Sequence, residues 1–419
     1  MIVPELRVDT ERLLDRLAEL GEIGAVHGPN GELGCARLAL TDADRDGRDL
    51  VVAWMSDLGL AISIDAIGNV VATRAGTDPA AAPVMMGSHI DTVRTGGRFD
   101  GNLGVLAGLE VIETLQQHGI ETHHPIQVAF FTDEEGARFA PDMLGSLVYV
   151  GGLALEEALD SRAADDHARL GDELARIGYA GNTPCPAATA PAHFVELHIE
   201  QGPVLEEQGI TIGVVTGVQG ISWTELVITG RSAHAGTTPM RLRRDPVWTA
   251  ASIAVEARRL AGEMAGSQVA TVGRFDVFPD LVNVVAQSVT FTLDVRNTDE
   301  TLLRQAEAHM MQYARQVCEQ EHCELQTRVL ARFEPVAFDE HMVDRVERVA
   351  VEQGNSTLRL PSGAGHDAQM LARVCPTSMI FVPSVNGLSH NIAEFTESVD
   401  IAAGANVLLH VVLELARPA

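Results

Sequence analysis

Five short stretches of the chain carry side chains that bind hard or borderline metal ions: Gly87-Ser88-His89-Ile90-Asp91, Arg98-Phe99-Asp100-Gly101, Thr132-Asp133-Glu134-Glu135-Gly136, Glu196-Leu197-His198-Ile199-Glu200-Gln201 and Leu388-Ser389-His390. Imidazoles and carboxylates with no cysteine suit zinc or manganese. A carboxylate can bridge two ions because its oxygens point apart, and ions roughly 3.5 to 4 Å apart hold both an attacking water and a substrate oxygen. The doublet Glu134-Glu135 offers one carboxylate as a ligand and the other as the base that receives water's proton. Hydrolysis is the chemistry such a set performs. Singly, each fragment has a plainer reading: a strand-end histidine is usually a hydrogen-bonded structural residue, a Glu-Glu doublet a solvated surface, and Asp91 a turn residue rather than a group orienting His89. Only their joint occurrence points to a metal centre.

These residues converge only if a sheet delivers them to one edge. Apolar strand-like and helical runs alternate in the first half, Ala82 to His89, Leu103 to Gln117 and Ile126 to Thr132, the pattern of an α/β protein with helices covering a sheet. In such sheets ligands gather at the carboxyl ends of strands. Leu103, Leu106, Leu109, Ile112 and Leu115 form an apolar stripe on one helix face, which puts Asp100 at a helix entrance. From about Gly213 to Pro335 the order becomes strand, helix, two strands, helix, strand, which predicts an inserted α+β unit on an antiparallel, ferredoxin-like sheet. A helix around Met342 to Gln353, the strand Ser378 to Val382 and a helix from Ile401 to Leu415 read as a return to the first domain. The predicted division is therefore residues 1–212 with 334–419 as a catalytic domain on a mixed sheet, and 213–333 as an inserted lid.

A chain of 419 residues, 46% hydrophobic, is long enough for two domains. Its formal net charge of -28 argues against nucleic acid and anionic membranes as partners. An acidic small molecule is not excluded, because one local arginine outweighs distant, screened charge. Charges from Glu5 to Arg16 interrupt the N-terminal apolar residues as no signal peptide does, and no uninterrupted apolar run reaches the roughly 18 residues of a membrane span. Five widely spread cysteines suit a reducing compartment, so a cytoplasmic location is expected. The closest pair, Cys318 and Cys323 around His322, reads as a helix end followed by a strand rather than a metal site.

The metal fragments, together with Gly220-Ile221-Ser222-Trp223, His234-Ala235-Gly236-Thr237-Thr238-Pro239-Met240, Arg243-Arg244-Asp245 and Pro361-Ser362-Gly363-Ala364-Gly365-His366-Asp367-Ala368, resemble the amidase (hydantoinase/carbamoylase) branch of the M20 metallopeptidase-like family over nearly the whole chain. That branch contains N-carbamoyl-L-amino-acid hydrolases, β-ureidopropionases and allantoate amidohydrolases. The resemblance implies two divalent ions per subunit, zinc first with manganese, cobalt or nickel as alternatives, and a homodimer formed through the lid. It implies His89, Asp100, Glu135, His198 and His390 as ligands with Asp100 bridging, and Glu134 as general base. Gln201, His234, Asn283, Arg296, Gly365 and His366 are implied as substrate contacts, with His234 also stabilising the oxyanion. A guanidinium such as Arg296 clamps a carboxylate with two parallel hydrogen bonds, although Arg296 also has Asp294 and Asp299 nearby in sequence to pair with.

His198 stands where aminopeptidase and deacylase relatives usually present a carboxylate, which makes peptide hydrolysis the less favoured activity. Gly97 to Gly101 and Ala137 to Met143 look more like carbamoylases than allantoate enzymes. N-carbamoyl-L-amino acids are thus the expected substrates, N-carbamoyl-β-alanine and allantoate the alternatives, and a metal-free binding paralogue the rival of another class. The chain departs from the branch at Asn391-Ile392-Ala393-Glu394, where a small residue, proline and two acids are common, and at Ala286-Gln287, where Pro-Gly is common. Asp133 replaces a common Asn, and this extra carboxylate is expected to raise the pKa of Glu134 by like-charge repulsion.

Overall fold

Four parallel strands, Ile126–Phe131, Val84–His89, His193–Ile199 and Thr377–Val382, lie side by side in that order at the centre of a nine-stranded sheet. They are buried almost throughout, which is why they read as continuous apolar runs rather than alternating ones. Antiparallel strands extend the sheet on both sides: Val70–Arg74 and then Ala61–Ile64 beyond Ile126–Phe131, and Ile212–Val218 beyond Thr377–Val382. The computed structural model describes residues 6–264 and 267–418, so Glu5 of the N-terminal charges lies outside the described residues.

Parallel neighbours need a crossover, and the helix Asn102–Gln117 supplies the one between Val84–His89 and Ile126–Phe131. The sequence suggested a single apolar stripe here; the helix is instead buried nearly all round. It is wedged between the sheet and two further helices, Thr10–Glu22 and Ser398–Leu415. Its approach to the sheet relies on Gly104, where a Cβ would stand 2.6 Å from the carbonyl oxygen of Leu197. Ser398–Leu415 is long and apolar enough to cross a membrane by composition, and 61% of it is buried within the protein.

The chain divides into two compact units, one ending at Thr216 and resuming at Ala337, the other running from Gly217 to Val336. The strand beginning at Ile212, read from sequence as the start of the insertion, belongs mostly to the main sheet, where Gly213, Val214 and Val215 pair with Phe381, Ile380 and Met379. In the inserted unit the strands Gly220–Thr229, Val269–Phe278, Ser288–Asn297 and Glu324–Phe333 form an antiparallel sheet, with Ser288–Asn297 and Gly220–Thr229 at its middle. Helices Pro246–Glu263 and Glu300–Gln320 pack on it through Leu226, Ile253, Phe291, Leu293 and Met310. Ser288–Asn297 alternates strictly between buried and half-buried residues, the period of a sheet with one covered face. Cys318 lies in the last turn of the helix Glu300–Gln320 and Cys323 just before the strand Glu324–Phe333, the helix end followed by a strand that the sequence suggested.

Candidate metal centre

The carboxyl ends of the four parallel strands carry the sequence-selected ligands. His89 ends its strand, His198 is the penultimate residue of its own, and Glu134 and Glu135 follow Phe131. His390 stands on the loop after Val382, and Asp100 on the loop entering the crossover helix. The loops turn sharply: Asp133, Gln201 and His390 have φ of 55°, 59° and 53°, a left-handed region that non-glycine residues seldom occupy outside sites that need it.

Asp100 is the hub. Its Oδ1 lies 3.6 Å from His89 Nε2 and 3.2 Å from His198 Nε2, while its Oδ2 lies 3.6 Å from His390 Nε2, which is itself 3.0 Å from Glu135 Oε2. The sequence-selected atoms thus form two groups, His89-Asp100-His198 and Asp100-Glu135-His390, that share only Asp100, while Glu196 and His366 close a third group around His198. The ring tautomers sharpen this. Nδ1 of His89 donates to the carbonyl of Asp91 and Nδ1 of His198 to that of Ile199, both at 2.9 Å, so in the neutral rings Nε2 carries a lone pair. A lone pair facing a carboxylate takes up a proton or a metal ion between them, His198 Nε2 also accepting the Gly101 N–H at 3.2 Å, and this donor set fits zinc or manganese. For His89 burial alone would lower the pKa, but Glu134, Asp100, Asp91 and Glu135 reverse this and hold it well above the usual imidazole value.

Glu134 is buried, with Oε2 3.4 Å from His89 Nε2. Burial pushes its pKa well up, opposed by His89 and reinforced by Asp367, Glu135 and Asp100. Asp133 does not lead that reinforcement: its Oδ1 is turned toward the backbone N–H of Phe139 at 3.4 Å. The carboxylate that does so, Asp367, is fully buried and comes from a distant part of the chain. Asp91 also acts differently from expectation. Its backbone carbonyl orients His89, while its carboxylate accepts the N–H groups of Glu134 and Glu135 at 3.3 and 3.4 Å and so sets the doublet.

Glu394, in the stretch that departs from the branch pattern, fills the space behind Asp100. Its Oε1 accepts the backbone N–H groups of Phe99 and Asp100, both at 3.1 Å, and burial followed by the Asp100 charge pushes its pKa up to about 8. A side chain on Gly97 would collide with it. Ser389 Oγ and Gln201 Nε2 each lie 2.8 Å from Asp100 Oδ2 and donate to it. Glu196 lies behind His198, accepting from Ser88 Oγ at 2.6 Å and from the Ala368 N–H at 2.8 Å.

Of the residues read as substrate contacts, Gln201 adjoins Asp100 as just described. His366, next to Gly365, is 1% exposed, with its ring 4.5 Å from that of His198 and Nε2 2.8 Å from Ser362 Oγ. Burial keeps its pKa well below the usual value, so it packs as a neutral ring against that of His198. In the inserted unit, His234 and Asn283 are brought together: His234 pairs with Val284 in a short two-stranded ladder and the Ala235 N–H donates to the Asn283 carbonyl at 2.9 Å. His234 Nδ1 accepts N–H groups from Gly236 and Thr237 at 3.0 and 3.2 Å, which leaves the ring proton on Nε2. Arg296 pairs with Asp294, two residues away on the same strand face, at 2.8 Å and lies over the Trp223 ring.

Residues 85–414 match the model of peptidase family M20/M25/M40. The chain is 44% identical over 412 residues to an N-carbamoyl-L-amino-acid amidohydrolase of Rhizobium meliloti, covering 98% of this chain and 97% of that one. It is 43% identical over 417 residues to an N-carbamoyl-L-amino acid amidohydrolase of Geobacillus stearothermophilus, covering 98% and 99%. A crystal structure of an amidase of the hydantoinase/carbamoylase family from Burkholderia multivorans superimposes with a TM-score of 0.94 at 46% identity, covering 99% of each chain.

Proposed function

The chain belongs to peptidase family M20/M25/M40, and on that footing we propose that it hydrolyses the ureido C–N bond of N-carbamoyl-L-amino acids, using one water to yield the amino acid, ammonia and carbon dioxide. The carrying observation is the division of Asp100 between two ligand groups with Glu134 alongside. In this reading His89, Asp100 and His198 would hold one divalent ion, and Asp100, Glu135 and His390 the other, with zinc the first choice and manganese, cobalt or nickel accepted by the same donors.

When bound, such ions supply Lewis acidity toward the ureido carbonyl and toward water. Glu134 takes the proton of the attacking water and returns it to the leaving nitrogen, a double task suited to a carboxylate whose pKa is raised by burial. His234 presents Nε2–H to the developing oxyanion, its tautomer set by Gly236 and Thr237. Arg296, its guanidinium fixed by Asp294 and Trp223, clamps the substrate carboxylate, and Asn283, Gln201, Gly365 and His366 complete the substrate's surroundings. The inserted unit serves as lid and as the contact of a cytoplasmic homodimer. Support for that contact comes from Trp248 and Val255, which stand exposed seven residues apart on one helix, and from exposed Phe275 and Phe278 on an edge strand. The five free thiols fit the location.

The test is ammonia release by protein loaded with Mn²⁺ or Zn²⁺, from N-carbamoyl-L-methionine, N-carbamoyl-β-alanine and allantoate, with amine release from a dipeptide and with Glu134→Gln and chelated controls. Turnover of the carbamoyl-L-amino acid, abolished in both controls, is expected. Preference for another ureido acid reassigns the substrate, dipeptide cleavage alone makes the chain a peptidase, and absence of metal-dependent turnover makes it a binding protein.

A further inference from the structure

Arg37 is fully buried, yet among the described residues every acceptor that its side chain reaches is neutral. Nε donates to the Ile90 carbonyl at 2.8 Å, Nη1 to the carbonyls of Leu20 and Ile23 at 2.9 and 2.8 Å and to Cys35 Sγ at 3.3 Å, and Nη2 to Asn102 Oδ1 at 2.8 Å. Removing a cation from water without an acid beside it is costly, so the fold retains Arg37 against a penalty.

What the acceptors share is their place in the chain. Ile90 directly follows His89, and Asn102 stands two residues after Asp100, where its own Nδ2 donates to the Arg98 carbonyl at 3.3 Å. Leu20 and Ile23 lie at the carboxyl end of the helix Thr10–Glu22, whose last carbonyls lack helical partners and favour a cation. The backbone of Arg37 is laced to the same loop: its N–H donates to Thr92 Oγ1 at 2.8 Å, and its carbonyl accepts the Thr92 N–H at 2.9 Å. Room for the side chain comes from Gly47, where a Cβ would stand 2.7 Å from Arg37 Cδ. A planar fork of five donors can hold a helix end and two separate loops at fixed spacing, and a single ammonium cannot.

We infer that Arg37 is a positioning residue for the metal centre: its guanidinium fixes the segment after His89 and the segment after Asp100 relative to one another, and thereby sets how tightly the site holds its ions. The inference rests on His89 and Asp100 being ligands. It is tested by calorimetric titration of the apo protein with Mn²⁺, comparing the native chain with Arg37→Met, Arg37→Lys and Asn102→Ala, with the Tm of each apo protein measured alongside. Loss of an outer partner of a metal ligand typically weakens binding roughly 10- to 100-fold, and a rise of the Mn²⁺ Kd in that range is expected for Arg37→Met. Arg37→Lys should recover little of it. Asn102→Ala, which deletes the acceptor beside Asp100 together with the Nδ2 bond to Arg98 and leaves Arg37 in place, should weaken binding several-fold while leaving the apo Tm near that of the native chain. Should Arg37→Met fail to fold, the other two variants decide. Native Kd values in folded Arg37→Lys and Asn102→Ala, with only the Tm lowered, would overturn the inference. A native chain that binds no Mn²⁺ would overturn the ligand assignment beneath it.

Discussion

Glu256 in the inserted unit and Glu134 in the catalytic unit are both nearly buried, yet their pKa values move in opposite directions. Glu256 is held at about 2 by hydrogen bonds from Arg259 and, less strongly, His309. Glu134 is pushed up by burial and by neighbouring carboxylates, and its nearest charge partner is His89. The chain contains no lysine, so arginine is its only permanent side-chain cation, and among the described residues no arginine pairs with Asp100, Glu134 or Glu135. A structural acid is neutralised within the fold. The acids at the strand ends face imidazoles instead, whose protons a divalent ion would displace.

The contrast is broken or sharpened most strongly by paired substitutions. Glu134→Gln should lower kcat roughly 10²- to 10⁴-fold, the range for a general acid-base group, with the content of bound metal unchanged, whereas Glu256→Gln should leave kcat alone; equal losses would erase the distinction. His234→Ala should cost roughly 10²- to 10³-fold in kcat, as removal of an oxyanion donor does elsewhere, without altering the Mn²⁺ Kd, and a changed Kd would place His234 among the ligands instead.

Smaller effects follow from pH. In the apo protein Glu135 raises the His390 pKa to about 9. A raised imidazole pKa lends stability that is complete below the unfolded value near 6.5 and is lost as pH rises through 9. The apo Tm should therefore fall between pH 6.5 and 9, and metal, which binds only the neutral ring, should flatten that slope. An unchanged slope on loading would remove His390 from the site. For Glu256 the sign reverses: its lowered pKa lends stability above about 4.5 that disappears as pH falls toward 2. The acid-side fall in Tm should be smaller by a few degrees in Glu256→Gln, and an identical acid limb would deny the pair a structural role.

The candidate site residues were legible where the chain itself announces them. His89, Glu134, Glu135 and His198 sit within four residues of, or inside, the runs that became parallel strands, so the run and its terminal candidate are read together. Their supports were not legible, because each lies far from the atom it touches: Glu394 reaches the backbone of Asp100 across 294 positions, and Arg37 reaches Asn102 across 65. Asp133 misled for the opposite reason. Adjacency in sequence suggested repulsion with Glu134, but a left-handed turn at that residue sends its carboxylate to Phe139. The strand Ile212–Val218 was misassigned because an apolar run does not disclose which sheet it will join.

The most direct test titrates metal-free protein with Mn²⁺ and follows ammonia release from N-carbamoyl-L-methionine at each increment, with bound metal quantified in parallel. A centre in which Asp100 divides its oxygens between two ligand groups predicts that activity continues to rise until two ions are bound per chain, and that Asp100→Asn, which weakens both groups, never reaches the plateau. Full activity at a single ion, or turnover indifferent to added metal, would contradict it.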